Sequence, residues 1–421
     1  MLGALVQFGF WADGCIRWVQ DGYNLPRTPL GVLVYLLFVP FYWLCPPRHR
    51  AAYLWTSSLA AALLTLGPAY ALTLTALTLI NLTVVQLGGR PGRAALGGLV
   101  LAGVYGTLLL RPQPFWLPPV DEPLYFYLHW AGIGYLFLRG WHLLMDRANG
   151  TLGHARPSEL AAFLLFAPTL RMGPLYRYQV FAVQMREGPA VHRNFPAAAG
   201  RLVTGAVRLA AMTVLMDALP METLFGAPQT LTGPQLLAHI YAAPMSIYLW
   251  ISGYLDWAVA VGYALGFRVP DNFNYPWRAT SIAEFWRRWH ITLGQWIRDY
   301  VYIPLGGNRR HIFLNYTVSF LIVGLWHGAY FSYVLWGLSQ GVGLAFRRLW
   351  HLRFERLRQE RSPLYARLRA LRLVASPLNV AACWVLTFHY QIFTIALFLD
   401  EHHTWRRLGP RLLQLLGIDP A

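Results

Sequence analysis

The chain has 421 residues, of which 56% are hydrophobic, 15% aromatic and only 13% charged. An average soluble protein carries charge on about a quarter of its residues. The composition therefore excludes an ordinary soluble domain and indicates many membrane-spanning helices rather than one anchor. The net charge is +17, and all 35 basic residues are Arg. Arg in cytoplasmic loops orients membrane helices and attracts anionic headgroups, so we expect membrane lipids, and no nucleic acid, as partners of this charge.

Cysteine usage and the N-terminus add two smaller expectations. Cys15, Cys45 and Cys383 lie far apart and show no metal-ligand spacing, so we expect neither a disulfide framework nor a metal site. The first residues carry Asp13 and Asp21 and lack a basic region before an apolar run. We therefore expect no cleavable signal peptide.

Apolar segments follow one another along the chain, separated by turns rich in Pro, Gly and Arg. After a lead-in over residues 1–29, the segments fall at about 30–45, 51–67, 69–87, 94–110, 124–146, 202–218 and 236–266. One more segment begins near residue 159, between the fifth and sixth of these. We predict an all-α polytopic integral membrane protein with about ten or eleven membrane helices. Between Arg171 and Arg208 we predict a cytoplasmic loop with short interfacial helices.

A helix with one aromatic and one basic side is predicted to begin at Ser281, where Ser281 and Glu284 form a capping-box pattern. At about 100° per residue, its large apolar side chains fall within one arc of about 120° and its Arg residues lie opposite. This pattern is typical of a helix at the membrane interface. His290 falls at the border of the two sides, and Gly294 leaves space beside it. A role in the chemistry and a purely structural hydrogen bond are equally compatible with this pattern.

The second histidine of interest, His327, lies in a stretch of 35 residues, Ile312 to Phe346, that contains no charge. One straight helix of that length would measure about 52 Å, against a hydrocarbon core of about 30 Å. We therefore predict a break around residues 326–332, which places His327 at a helix end at membrane depth. Burial there favours the neutral imidazole, the form that a general base requires. A histidine that only bonds a backbone carbonyl is the alternative, and we interpret His129, His142, His239 and His389 in that way.

At these residues the chain resembles the membrane-bound O-acyltransferase family, in its bacterial branch. The matching segments are Asn272-Phe273-Asn274-Tyr275-Pro276, Glu284-Phe285-Trp286-Arg287-Arg288-Trp289-His290, Arg298-Asp299-Tyr300 with Pro304-Leu305-Gly306-Gly307-Asn308-Arg309, and Leu325-Trp326-His327-Gly328-Ala329. Weaker matches include Gly253-Tyr254-Leu255-Asp256. Together they cover about residues 155–340.

The resemblance implies a helical bundle around a central tunnel, with short re-entrant helices that carry the histidines. It implies His327 as the catalytic base and His290 as a second active-site residue. We expect substrate binding at Trp289, Trp326, Arg287, Arg288, Arg298, Asp299, Asp256 and Asn272. We predict a single membrane domain over 1–421, made of an N-terminal helix bundle (1–150), a catalytic core (155–340), and a basic loop with a C-terminal helix (341–421).

The activity implied is transfer of an acyl group, acetyl in our expectation, from a cytoplasmic thioester donor to a hydroxyl of an extracytoplasmic glycan. The donor would be acyl-CoA or an acyl-carrier protein, no cofactor would be bound, and a periplasmic acyltransferase is a candidate partner. The implied location is the bacterial inner membrane. A transporter or flippase for a lipid-linked sugar is the alternative. A haem or metal protein is disfavoured because the two histidines lack ligand spacing.

A strongly basic segment near the C-terminal end has nine Arg and two Glu between Arg347 and Arg372. We interpret it first as a cytoplasmic loop that follows the positive-inside rule. The sharper hypothesis is a docking site for an acidic carrier protein or for the phosphates of coenzyme A.

Overall fold

The structure, a computed structural model, describes residues 34–109, 132–187, 194–328, 331–370 and 376–399. Within these residues the chain is helical and contains no β-strand, which confirms the predicted all-α class. The predicted lead-in over residues 1–29 lies outside them, as do His129 and the first residues of the 124–146 segment.

Seventeen α-helices are distinguished within the described residues. In chain order, α1 to α17 are Val39–Leu44, Arg50–Leu66, Pro68–Leu87, Pro91–Leu109, Ile133–Ala148, Pro157–Leu164, Ala167–Leu170, Tyr178–Glu187, Phe195–Ala218, Met221–Gly226, Gly233–Ala264, Ile282–Arg288, Ile291–Ile297, Ile312–His327, Phe331–Gln359, Pro363–Ala370 and Pro377–Phe398. A π-helical turn, Arg298–Tyr302, follows α13 directly.

Four of these helices are long and apolar enough to cross a membrane: α3, α9, α11 and α17. The shorter α14 is also strongly apolar. The predicted boundaries of the early apolar segments agree with α2, α3 and α4 to within a few residues. The total of ten or eleven membrane helices stays a prediction.

The described residues group into two compact units. The first unit extends to Thr213 and also includes Leu249–Asp271, and the second comprises Val214–Tyr248 and the chain from Asn272 onward. Helices α9 and α11 therefore each contribute residues to both units. The predicted division into 1–150, 155–340 and 341–421 does not coincide with this grouping and stays a prediction.

In the first unit, α9 and α11 pack at very short range because glycines face each other. A Cβ built on Gly205 would come within 2.7 Å of the Gly253 carbonyl oxygen. Small residues that allow backbones to approach are typical of helix pairs in membranes. The same unit buries Arg139 on α5, which donates hydrogen bonds to the carbonyl oxygens of Phe163 and Leu164 at 2.9 and 2.8 Å.

In the second unit, α14 and α15 form an antiparallel helical hairpin. Gly324, Gly337 and Gly341 lie on the contact between the two helices, where added Cβ atoms would meet backbone of Tyr333, Phe320 and Thr317. Helix α14 ends at His327, and α15 begins at Phe331. The predicted break in the charge-free stretch is thereby confirmed.

The basic segment after residue 346 is helical, which corrects the predicted loop. Helix α15 continues to Gln359, and α16 occupies Pro363–Ala370. Arg is among the better helix formers, so a dense run of Arg does not by itself interrupt a helix. Only the turn at residues 360–362, where Arg361 has φ 49°, separates the two helices.

Candidate active site

The segment around the first histidine is two short helices, not the single continuous helix that was predicted. Helix α12 ends at Arg288, α13 begins at Ile291, and His290 lies between them in the left-handed region with φ 45° and ψ 51°. The predicted start is confirmed, because the Ser281 hydroxyl accepts a hydrogen bond from the Glu284 amide. The predicted separation of apolar and basic side chains is seen at Leu293, which is buried, and at Arg287, which is exposed.

Asn272 holds the break in place from outside the two helices. Its backbone oxygen accepts a hydrogen bond from the Ile291 amide at 2.9 Å. Its side-chain Oδ1 accepts from the Thr292 amide at 2.9 Å and from the Thr292 hydroxyl at 2.6 Å. The first amides of a helix lack intrahelical partners, so Asn272 satisfies two of them and fixes where α13 begins.

His290 is buried by this arrangement and lies outside the four candidate spans. Its side chain is 8% exposed, and burial lowers its pKa from the usual value to about 4. At neutral pH the ring is therefore uncharged. A neutral imidazole can donate one hydrogen bond and accept another, which suits orientation of an acceptor or stabilisation of an oxyanion.

We expect the stability of the protein to depend on pH through His290. An unfolded His titrates near 6.5, so between about pH 6.5 and 4 the unfolded chain binds a proton that the folded chain does not. Stability therefore decreases as pH falls through this window, by at most about 3 kcal/mol. His290→Gln removes the titration. The thermal midpoint of wild type relative to His290→Gln should fall from pH 7 to pH 4.5, and a constant difference would contradict the burial of this ring.

His327 lies in a box of aromatic side chains at the end of α14. Its ring centroid is 4.7 Å from that of Trp326 and 4.8 Å from that of Phe398 on α17. The rings of Tyr333 and Trp336 on α15 both lie at 5.9 Å. The imidazole itself is only half-buried. It thus has apolar walls and remains accessible, which suits a base that must receive a substrate hydroxyl.

A buried polar cluster centred on Gln340 joins the helices around this box. The Gln340 Oε1 accepts a hydrogen bond from the Trp286 indole at 2.9 Å and one from the Gln391 amide at 3.3 Å. Its Nε2 donates to the Thr394 hydroxyl at 2.9 Å. Gln340 lies four residues after Trp336, and Thr394 four residues before Phe398. The cluster therefore lies one helical turn from the box and ties α12, α15 and α17 together.

Replacement of Gln340 by Met should lower the thermal midpoint. The side chain is fully buried, and Met leaves the Trp286 indole N–H without its acceptor, at a cost of about 1–3 kcal/mol. The neighbouring Ser339→Ala is the matched control, because its hydroxyl only bonds the Trp336 carbonyl oxygen of its own helix. Equal midpoints for the two variants, measured in the same detergent, would contradict the role of the cluster.

Two of the predicted substrate-binding residues, Trp326 and Trp289, directly precede the two candidate histidines in the chain. Trp326 packs against His327. Trp289 lines a cavity in the second unit and stacks on Phe285 with ring centroids 5.5 Å apart. Their role in substrate binding stays a prediction.

The predicted polar binding residues are engaged in local contacts. Arg288 donates from Nε and Nη2 to one oxygen of Glu284, Oε1, at 3.0 and 2.9 Å, and Arg298 pairs with Asp299 at 2.7 Å. Arg287 is exposed. For all of these, as for Asn272, substrate contact stays a prediction.

Asp256 lies in the first unit, on α11, and is almost fully buried. Its carboxylate forms ion pairs with Arg201 at 2.7 Å and Arg208 at 2.5 Å, both on α9. Arg201 also reaches Asp271 at 2.6 Å. The structure thus gives Asp256 a role in joining α9 to α11, and its contact with substrate stays a prediction.

Three of the four histidines that the sequence assigns to structural roles lie in the described residues, and these three bond nearby groups. His239 Nδ1 lies 2.8 Å from the Gln235 carbonyl oxygen, and His389 Nδ1 lies 2.7 Å from that of Val385. His142 Nε2 lies 3.0 Å from the Asp146 carboxylate in the first unit.

Sequence reasoning missed the members of the box and of the cluster that lie on α15 and α17. Gln340 lies in the charge-free first half of α15 and Gln391 in the apolar α17, and a buried amide at such a position needs partners. That was an available signal. Nothing in the sequence alone shows that Phe398 packs against His327.

The chain belongs to the membrane-bound O-acyltransferase family, whose model matches residues 141–368. The match includes both histidine segments and the helical hairpin.

Among curated proteins, the chain is similar to a probable alginate O-acetylase of Pseudomonas aeruginosa, with 38% identity over 240 residues, which is 56% of this chain and 44% of that protein. It is 33% identical to a peptidoglycan O-acetyltransferase of Helicobacter pylori over 195 residues, 45% of this chain and 37% of that protein. It is 26% identical to a teichoic acid D-alanyltransferase of Bacillus subtilis over 334 residues, 73% of this chain and 78% of that protein. The chain thus spans under half the length of the alginate O-acetylase and over three quarters of the D-alanyltransferase.

Proposed function

We propose that this protein is a membrane O-acyltransferase that moves an acyl group from a cytoplasmic thioester to a hydroxyl of an extracytoplasmic glycan or envelope polymer. The observation that carries the proposal is His327, half-buried in an aromatic box at the end of a charge-free helix. An imidazole within an apolar membrane helix is costly and is functional by default. Membership of the family supports the reaction class.

In the proposed reaction, the His327 imidazole takes the proton of the acceptor hydroxyl, and that oxygen attacks the thioester carbonyl carbon. The C–S bond breaks as the ester forms, and the leaving thiolate receives the proton that His327 took from the acceptor, which restores the neutral imidazole. His290, uncharged at neutral pH, would donate a hydrogen bond to the developing oxyanion or orient the acceptor. No covalent acyl-enzyme is needed in this direct transfer.

Acetyl is the acyl group that the comparisons favour. Identity is 38% to the alginate O-acetylase and 26% to the teichoic acid D-alanyltransferase. The acceptor is proposed as a glycan because these three relatives are named for alginate, peptidoglycan and teichoic acid. We place the protein in the bacterial inner membrane as a multi-pass protein, and a periplasmic acyltransferase remains a candidate partner.

The donor is proposed to dock on the basic end of α15 and on α16. Eight Arg and two Glu lie between residues 347 and 370. Such a surface would attract an acidic carrier protein or the phosphates of coenzyme A. Replacing Arg353 and Arg356 by Glu should raise the donor concentration needed for half-maximal rate and leave the maximal rate nearly unchanged. An unchanged donor dependence would argue against docking here.

The proposed function is tested by mass spectrometry of cell-envelope and secreted glycans from hosts that express wild type or His327→Gln. We expect an ester, acetyl in our proposal, that is present with wild type and missing with the variant. The ester that disappears also identifies the acceptor. A transporter of a lipid-linked sugar would instead change the amount of glycan and leave its esters in proportion.

A further inference from the structure

The α14–α15 hairpin is apolar along its length and has two pairs of Arg at one end. Arg309 and Arg310 lie just before α14, and Arg347 and Arg348 directly follow the charge-free stretch on α15. Because the two helices are antiparallel, both pairs come to the same end of the hairpin. Arg residues that flank an apolar segment are typical of the boundary between membrane and water.

The contact between the two helices shows which way Arg348 faces. A Cβ built on Gly341 would lie 2.7 Å from the Thr317 Cα, so these two positions are opposite each other. Arg348 lies seven residues after Gly341, and Arg310 lies seven residues before Thr317. Seven residues make nearly two helical turns. Arg348 therefore faces the start of α14, at the level of the segment that carries Arg310.

That segment, the loop Gly306–His311, is held in one conformation from two sides. The buried Asn315 donates hydrogen bonds to two backbone carbonyl oxygens of the loop, at 2.9 and 2.7 Å. The Tyr302 hydroxyl donates to Asn308 Oδ1 at 2.9 Å. Burial raises the pKa of Tyr302, and the charge of Arg348 is near enough to act in the opposite direction. The loop and Arg348 are thus neighbours.

The Arg residues at this end of the hairpin have no counter-ion among the described residues. Arg309, Arg310, Arg347 and Arg348 form neither an ion pair nor a hydrogen bond from their side chains there. Arg309 and Arg310 are exposed, and Arg348 is half-buried. A cation partly removed from water is unfavourable without an anion. The guanidinium group fits phosphate oxygens well, so a phosphate group suits this end of the hairpin.

Large apolar side chains are exposed at the same end. Phe313 and Leu314 on α14 are 49% and 57% exposed, and Phe346 and Trp350 on α15 are 66% and 60% exposed. A soluble phosphate compound would use only the Arg residues. A phospholipid carries its phosphate directly beside apolar chains, so it matches both the charge and the apolar surface.

We propose that this end of the hairpin binds the headgroup of one anionic phospholipid, with the phosphate at Arg309, Arg310 and Arg348 and the chains along the apolar side chains beside them. The site is distinct from the surface proposed for the donor, where Arg353 and Arg356 lie further along α15. It does not depend on the proposed acyl transfer, because lipid binding is measured without donor or acceptor.

Native mass spectrometry of the full chain in detergent tests the site by counting bound lipids. Phosphatidylglycerol and phosphatidylcholine with identical chains are titrated separately, and the Kd of the first bound lipid is compared. We expect phosphatidylglycerol to bind at least about fivefold more tightly, since one Arg near an anionic headgroup accounts for about that factor. Equal affinity for the two lipids, or no bound lipid, would overturn the proposal.

The double variant Arg309→Gln, Arg310→Gln should weaken binding of the first phosphatidylglycerol by about 25-fold, at about fivefold for each Arg. The matched control is Arg90→Gln, Arg93→Gln, which removes the same charge from two exposed residues at the turn between α3 and α4. This control should stay within about twofold of wild type. Equal losses in the two double variants would show attraction by net charge alone and overturn the site.

Arg348→Gln should weaken the first phosphatidylglycerol by about fivefold. Without lipid, its thermal midpoint should equal or exceed that of wild type, because a half-buried cation without an anion is gone. A lower midpoint together with unchanged lipid affinity would show that Arg348 is structural. Coenzyme A is added as a competitor to exclude the other source of phosphate. If it displaced phosphatidylglycerol from wild type, the anion would belong to the donor, and the assignment to lipid would be wrong.

Discussion

Replacement of His327 by Ala should reduce acyl transfer in membranes by about 10²- to 10⁴-fold, the usual contribution of a general base. Its imidazole is the group proposed to take the acceptor proton, and the two nearest rings, those of Trp326 and Phe398, cannot accept a proton. The rate is measured as thiol released from the thioester donor in the presence of acceptor. His327→Gln, which keeps most of the side-chain volume, should lose a comparable factor.

The control is His389→Ala, whose histidine also lies on an apolar helix but bonds the Val385 carbonyl oxygen of its own helix. It should retain most of the activity. The thermal midpoints of the His327 variants show whether they fold. A folded His327→Gln with wild-type turnover would show that another group is the base.

Replacement of Gly324 by Ala should cost both stability and activity, although it adds one methyl group. The new Cβ would overlap the carbonyl oxygen of Tyr333 across the α14–α15 hairpin, and a backbone group cannot rotate away. Overpacking of this kind costs about 1–3 kcal/mol. Since Tyr333 is also part of the box around His327, the displaced helix should lower the rate of transfer at least tenfold, about 1.4 kcal/mol in the barrier.

The matched control is Gly103→Ala on α4, where an added Cβ meets nothing within 4 Å. Ala is a better helix former than Gly by about 1 kcal/mol, so this variant should be as stable as wild type or slightly more stable. Thermal midpoints in the same detergent compare the two. A Gly324→Ala protein as stable and as active as Gly103→Ala would contradict the close hairpin.

The features that sequence reasoning predicted correctly depend on local chemistry. Ser281 and Glu284 are three residues apart, and a cap requires nothing else. The break after His327 followed from a length that exceeds the bilayer and from the glycines near it. In both cases the determining residues are neighbours in the chain, so they could be identified without coordinates.

The break at His290 could not be predicted in this way. A helical projection assumes that the helix continues without interruption. This assumption fails because Asn272 accepts hydrogen bonds from Thr292, twenty residues later in the chain. The aromatic box around His327 could not be predicted for the same reason. Phe398 reaches it from a helix 71 residues further along the chain, and such tertiary contacts leave no local pattern.

The prediction for the basic segment was wrong for a different reason, because it was based on composition alone. A dense run of Arg was interpreted as a loop because positive loops orient membrane proteins. Arg nevertheless has a high helix propensity, and Glu355 pairs with Arg358 one turn later. Charge predicts on which side of the membrane the segment lies and gives no information on its secondary structure.

The most direct test of the central claim, that this chain transfers an acyl group with His327 as base, is transfer of label from a thioester to a polymer. The purified full chain is reconstituted into liposomes with acceptor glycan inside and [¹⁴C]acetyl thioester outside. The claim predicts labelled ester on the enclosed glycan with wild type and background levels with His327→Gln. Equal labelling with both proteins, or thioester that remains intact with wild type while the glycan crosses the bilayer, would contradict it.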